Sequence, residues 1–356
     1  MSHYEERLAS DIKKIKEHFQ STCSLVERGL DQSIHALLSG DDKLAYETAL
    51  GDMPINRSVR EMDRLCHAFV ARHLPSAGHL RFISSLLKLN QEIERIGDYA
   101  VTICRASVRL SKHAPETVAR DIELISHQAR RVLSQAITAF LDENPEMAQG
   151  SMGMAEQVND TYTKVFRDLL REGDKHKRPL EDLFTLLIIF NRISRVSDRA
   201  KNICEETVFA YTGETKASKV YRILFIDEKN DCASLIAEAI ARRAFPESGE
   251  YSSAGWAPAE SLAPGVAEQI QSKGLDLAAL EPSPLVASYD FLVDTHVIVS
   301  LGGDARKHLE EIPFKTIYLE WDLGTYDKNE DLSPLFQGLS TKINALMETL
   351  QGPGAG

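Results

Sequence analysis

The chain has 356 residues, of which 43% are hydrophobic and 26% charged, and its 41 Lys and Arg against 53 Asp and Glu leave a formal net charge of −12. That length suggests about two domains, and the composition excludes wholesale disorder, a collagen repeat and a disulfide scaffold. The acidic balance argues against a chain built mainly to neutralise nucleic-acid phosphates.

The N-terminal MSHYEERLASDIKK is charged and lacks the apolar core of a secretory signal. Five cysteines, an odd number with no CxxC, fit a reducing compartment. The longest strong apolar run, Phe184 to Phe190, falls far short of the ~20 residues needed to span a bilayer. These features predict a cytoplasmic protein that reaches a membrane only through partners.

Up to about Tyr211 the apolar residues recur at three and four. Leu8, Ile12, Ile15, Phe19, Leu25, Leu30, Ile34 and Leu37 form the first such stripe. Breakers at 40–42, 75–78, 113–115, 144–145 and 173–179 cut the region into six long helices, the pattern of an antiparallel bundle. Residues 84–104 and 184–204 align at an offset of 100 with eight of 21 positions identical, including Ile93/Ile193, Arg95/Arg195, Asp98/Asp198 and Cys104/Cys204. This predicts two packed three-helix repeats, residues 1–112 and 113–212. Glu94 and Asp98 are four apart and share a helix face. On spacing alone they read as a solvated face beside Arg95; the sharper reading is a carboxylate site for a hard cation.

The segment NQEIERIGDYAVTIC resembles the signature helix of the PhoU family, whose two repeats each carry ExxxD. The six-helix layout and the entry Pro75 to Arg81 are similar as well. The resemblance covers about residues 1–212 and implies a cytoplasmic, dimeric regulator of phosphate uptake. Its implied partners are the ATPase of a phosphate ABC transporter and a sensor histidine kinase, and its implied metal is iron or zinc. Carried onto this chain, the metal residues are Glu94, Asp98 and Asp198. The second copy departs from the motif, with Ser194 at the glutamate position.

After residues 213–219, a polar linker, the pattern changes. Residues 1–220 hold 31 basic and 32 acidic side chains, whereas residues 221–356 hold 10 and 21, and eight of the 13 prolines lie in the second stretch. Strands are predicted at 220–227, 250–254, 291–300 and 314–319, and helices at 232–245, 265–273 and 335–350. Their alternation predicts a parallel sheet covered on both faces over residues 220–350, with ligands at the loop 227–234. Residues 351–356 form a tail.

This region resembles the low-molecular-weight tyrosine phosphatases and arsenate reductases, through ILFIDEKNDCASLIAEAI, Ser253 to Trp256, Lys273 to Asp276, Asp304 to Arg306 and Trp321 to Asp327. In that family a nucleophilic Cys is followed by five residues and then Arg-Ser. Here the nucleophile position is Asp227, the loop glycine position Lys229 and the arginine position Ala233. Asn230, Cys232 and Ser234 match, and Asp327 stands at the general-acid position, followed by Lys328 in place of proline. A carboxylate is a poor substitute for a thiolate, Glu228 and Asp231 add repulsion, and loss of the arginine removes the oxyanion clamp. Cys232 reads as a small packing residue, with a thiol activated by a helix N-terminus as the alternative.

The expectation is therefore a non-enzymatic regulator, a PhoU-like helical domain joined to a catalytically degenerate α/β domain. The rivals are an enzyme using Asp227 for unusual phosphoryl or arsenate chemistry, a metal-binding scaffold, and a response-regulator receiver. The last lacks a phospho-accepting Asp at the required spacing. The basic run Lys175 to Arg178 reads either as solubility or as a contact for an acidic partner, and the 11 histidines contain no HxxxH or HExxH pair.

Overall fold

The computed structural model describes residues 3–155, 157–158, 179–215, 219–276, 280–303, 305–324 and 331–352. The chain divides into two compact units, Met1–Lys216 and Ala217–Gly356.

The first unit is helical: α1 (His3–Ser39), α2 (Asp42–Leu50), α3 (Asp52–His73), α4 (Ala77–Ser107), α5 (Glu116–Leu141), α6 (described over 145–155) and α7 (Leu180–Thr212). Of the stripe on α1, Ile15, Phe19, Leu30, Ile34 and Leu37 are buried and Leu8, Ile12 and Leu25 are half-buried against the same core, with Val26 buried beside them. The second helix of the first repeat is split in two. Gly51 closes α2 with its N–H on the Thr48 carbonyl (3.0 Å), and Pro54, which has no N–H to give, falls in the first turn of α3. Asp41 caps α2 by accepting from the Leu44 N–H at 2.9 Å. The repeats meet over an aromatic cluster from four helices. Phe82 stacks on Phe140 at 5.6 Å, Phe19 meets Phe140 edge-on at 5.3 Å, and Tyr211 Oη donates to the Phe140 carbonyl at 2.9 Å. Among the described residues no helix is long and apolar enough to cross a membrane.

The second unit runs β1 (Tyr221–Asp227), α8 (Ala233–Ala244), β2 (Gly249–Gly255), α9 (Val266–Ser272), α10 (Tyr289–Leu292), β3 (Val297–Ser300), β4 (Ile317–Glu320) and α11 (Ser333–Gln351). The strands form a parallel sheet in the order β2-β1-β3-β4. Alternate residues of β1 supply two cores. Ile223 and Phe225 pack with α8 and α11, while Leu224 and Ile226 pack with Leu292, Ala305 and Leu309. The expected strand over 291–300 is a correction. Residues 289–292 are a helical turn, Thr295 N–H closes onto the Leu292 carbonyl (2.9 Å), and only 297–300 enter the sheet. The strand expected at 314–319 begins at Ile317, because Thr316 turns back on the Pro313 carbonyl and its hydroxyl donates to the Thr295 carbonyl at 2.8 Å.

Candidate functional site: a self-occupied phosphate loop

The chain leaves β1 toward β2 on one side and later reaches β3 on the other, so the carboxyl end of β1 is the point where strand order reverses. Ligands of open α/β sheets bind at such points. The loop there runs from Asp227 to the start of α8.

Asp227 fills the centre of this loop with its own carboxylate. Oδ1 accepts from the Asn230 N–H at 2.5 Å, and Oδ2 accepts from the Ser234 N–H, in the first turn of α8, at 3.0 Å. These are donors of the kind an oxyanion takes at a helix N-terminus. Three further features hold the loop in this shape. Asn230 sits in the left-handed region at φ 49°, where asparagine is tolerated because its amide bonds locally. Its Nδ2 donates to Ser234 Oγ at 2.8 Å, and its Oδ1 accepts from the Ser283 N–H at 2.7 Å. The loop backbone presses on Gly255, where a Cβ would lie 2.8 Å from the Glu228 carbonyl oxygen. The carbonyls of Glu228, Lys229 and Asp231 accept from the N–H groups of Ala257, Ala259 and Ala263 at 2.8, 2.9 and 3.0 Å.

The chemistry left to the site is narrow. Asp227 is 8% exposed and both its oxygens are engaged. Ala233 and Cys232 are fully buried, so no guanidinium faces the loop from position 233 and the Cys232 sulfur is closed to solvent. Asp327, Lys328, Asp304 and the run Lys175 to Arg178 lie outside the described residues.

In the helical unit the repeats face each other through α4 and α7. Arg199 Nη1 donates to Glu92 Oε2 at 3.0 Å, Asn202 Nδ2 to the same oxygen at 3.2 Å, and the Arg192 guanidinium lies 5.4 Å from the centre of the Tyr99 ring. Positions 92 and 192, and 99 and 199, are equivalents at the offset of 100. The contact is thus reciprocal, as in a two-fold interface between separate subunits, with both arginines on the second copy. Lys88 Nζ to Glu206 Oε1, at 2.8 Å, adds a further tie.

The metal residues Glu94, Asp98 and Asp198 are not brought into one donor set. Among the described residues no three His, Cys, Asp or Glu side chains converge in a way that holds an ion. Asp98 has Asp52 beside it, and burial first, then that neighbouring charge, pushes its carboxyl above the ordinary range. Asp198 lies on α7 with Arg195 Nη1 at 3.4 Å, and Ser194, where a second glutamate belongs, is buried without charge. Among the described residues these three carboxylates do not by themselves form an iron or zinc donor set.

A family model described as the PhoU domain matches residues 19–107 and 119–207, half of the chain and one match per repeat. The chain belongs to the PhoU family. A second model, low molecular weight phosphotyrosine protein phosphatase, matches residues 222–332, so the PhoU repeats are followed by a domain of phosphatase type. The chain is 26% identical over 212 residues to the phosphate-specific transport system accessory protein PhoU of Serratia marcescens, covering 60% of this chain and 87% of that one. It is 28% identical to PhoU homolog 1 of Methanothermobacter thermautotrophicus, covering 59% and 95%. The crystal structure of PhoU from Pseudomonas aeruginosa shares the helical fold at 24% identity and a TM-score of 0.56, covering 58% of this chain and 99% of that one.

The signal for the loop was in the spacing of Asp227, Asn230, Cys232 and Ser234. The reciprocal pairs of α4 and α7 were missed, although the 100-residue offset contained the means to find them, since Glu92 and Arg192, and Tyr99 and Arg199, are aligned positions of opposite character.

Proposed function

We propose that this chain is a non-enzymatic accessory regulator of phosphate uptake. It acts in the cytoplasm through protein contacts with the ATPase of a phosphate ABC transporter, with the associated sensor histidine kinase, or with both. The two PhoU matches and the accessory-protein names of the relatives support the regulatory role. The observation that carries the non-enzymatic reading is the Asp227 carboxylate on the two amides of the loop. A phosphatase of this type needs a thiolate to attack phosphorus and free donors to hold the oxygens. This loop carries a carboxylate at the nucleophile position, and that carboxylate takes up two of the loop N–H donors, those of Asn230 and Ser234. The phosphatase-type domain then serves as a binding module.

The test is affinity capture of the tagged full-length chain from phosphate-replete cells of its source. The transporter ATPase or the histidine kinase is expected among the retained proteins, with Asp227→Asn retaining them equally. Absence of both overturns the regulatory assignment.

A further inference from the structure

Between α1 and α5, away from the contact of α4 with α7, the helical unit has an open cleft of about 510 Å³. That volume falls in the range of small-molecule sites, ~300–1,000 Å³. Its floor is the apolar core at Leu30 and Leu133, both essentially inaccessible to water. Its walls are charged: Glu27, Arg28 and Asp31 from α1, and His127, Arg130 and Arg131 from α5.

These charges are unequally committed. Asp31 is taken by an ion pair with Arg130, which fixes that guanidinium at the wall. The Arg130 Nε is buried and has no hydrogen-bond partner within the chain. Glu27 is bonded to the Ser134 hydroxyl, and burial raises its carboxyl above the ordinary range. Arg28 and Arg131 are exposed, and among the described residues neither has a carboxylate partner. Of the three lining arginines, Arg28 and Arg131 are therefore exposed and uncommitted among the described residues, while Arg130 is half-buried and paired with Asp31. In a chain of net charge −12, a cluster of three arginines with two unspent is a local reversal of the field.

Guanidinium forks pair with phosphate oxygens through two parallel hydrogen bonds, a geometry that an ammonium does not reproduce. We infer that this cleft binds a small ligand carrying two linked phosphate groups. One phosphate is held by Arg28 from α1 and the other by Arg131 from α5, with Arg130 and His127 in the same lining. Either inorganic pyrophosphate or a nucleoside diphosphate has this chemistry. The inference is independent of the state of the Asp227 loop.

Isothermal titration of the full-length chain at fixed ionic strength, with pyrophosphate, ADP and inorganic phosphate as separate probes, tests it. Pyrophosphate is expected to bind at one site, with phosphate at least about tenfold weaker because only one fork is engaged. If ADP binds more tightly than pyrophosphate, the nucleoside also rests on the Leu30 and Leu133 floor; if equally, the diphosphate alone is recognised. Arg28→Ala with Arg131→Ala should abolish binding, Arg28→Lys with Arg131→Lys should weaken it about tenfold or more, and Glu27→Gln should tighten it. Both arginines are exposed, and an unchanged thermal transition confirms that the variants fold. Binding that survives the double alanine substitution, equal affinity for phosphate and pyrophosphate, or no binding by any probe overturns the inference.

Discussion

The two units of this protein satisfy a carboxylate in opposite ways. In the helical unit, Glu92 is met by a guanidinium from the other repeat, a partner 107 residues away in the chain. In the α/β unit, Asp227 is met by backbone N–H groups three and seven residues away. The first arrangement joins two halves of a fold; the second closes a loop upon itself. The difference shows which parts of each family pattern carry architecture. In the phosphatase-type loop, the residues that shape the backbone are present: Asn230 in the left-handed region, Ser234 beneath it and Gly255 against it. At its centre the donors of Asn230 and Ser234 are taken by an internal anion, the Asp227 carboxylate.

This contrast can be broken at several points. The largest effect is expected from Asp227→Ala, which orphans two buried N–H groups formerly bonded to a charge. Denaturant unfolding should show the transition of the α/β unit destabilised by roughly 2–4 kcal/mol, with the helical unit unaffected. A change below about 0.5 kcal/mol would mean that the carboxylate does not organise the loop. Gly255→Ala should cost roughly 1–3 kcal/mol in the same transition, since the new Cβ meets loop backbone and not a movable side chain.

The fold was legible where periodicity is long. The stripes of α1, α4, α5 and α7 each extend over many turns, so helix was the only reading. It failed where a run was short. Phe291 and Val293 resembled the start of a strand, yet they are 53% and 43% exposed and belong to a helical turn and its exit. Short apolar runs do not distinguish the two states. At the loop, the sequence shows a carboxylate at position 227 and an alanine at position 233. The direction of the carboxylate was not readable there. It depends on the positive φ of Asn230 and on the approach of Gly255, which sits 28 positions beyond Asp227. Asp227 was expected to repel an oxyanion; the structure shows that it replaces one.

Smaller effects probe the helical side of the comparison. A double-mutant cycle on Glu92→Gln and Arg199→Gln should give a coupling of roughly 0.5–1 kcal/mol, reduced by salt. Both side chains keep some solvent contact, at 15% and 18% exposure. Zero coupling would mean that the Glu92–Arg199 pair does not help join the repeats. The smallest effect concerns pH. Burial raises the Glu238 carboxyl, against the Ser253 hydrogen bond and the charge of Arg242. An acid raised on folding contributes stability that is fully present below its unfolded value and lost as pH rises through its folded value. The α/β unit should therefore gain stability from this group on acidification from pH 7 toward the ordinary glutamate range, and Glu238→Gln should flatten that part of the profile. A profile unchanged by the substitution would assign the slope elsewhere.

The most direct test of the account is steady-state turnover of p-nitrophenyl phosphate by the full-length chain, measured beside Asp227→Asn. The account predicts no turnover above the uncatalysed rate for either protein, because Asp227 occupies the amides of Asn230 and Ser234 and the Cys232 thiol is buried. Turnover by the native chain that disappears in Asp227→Asn would contradict it, and would make the carboxylate a nucleophile instead of an internal ligand.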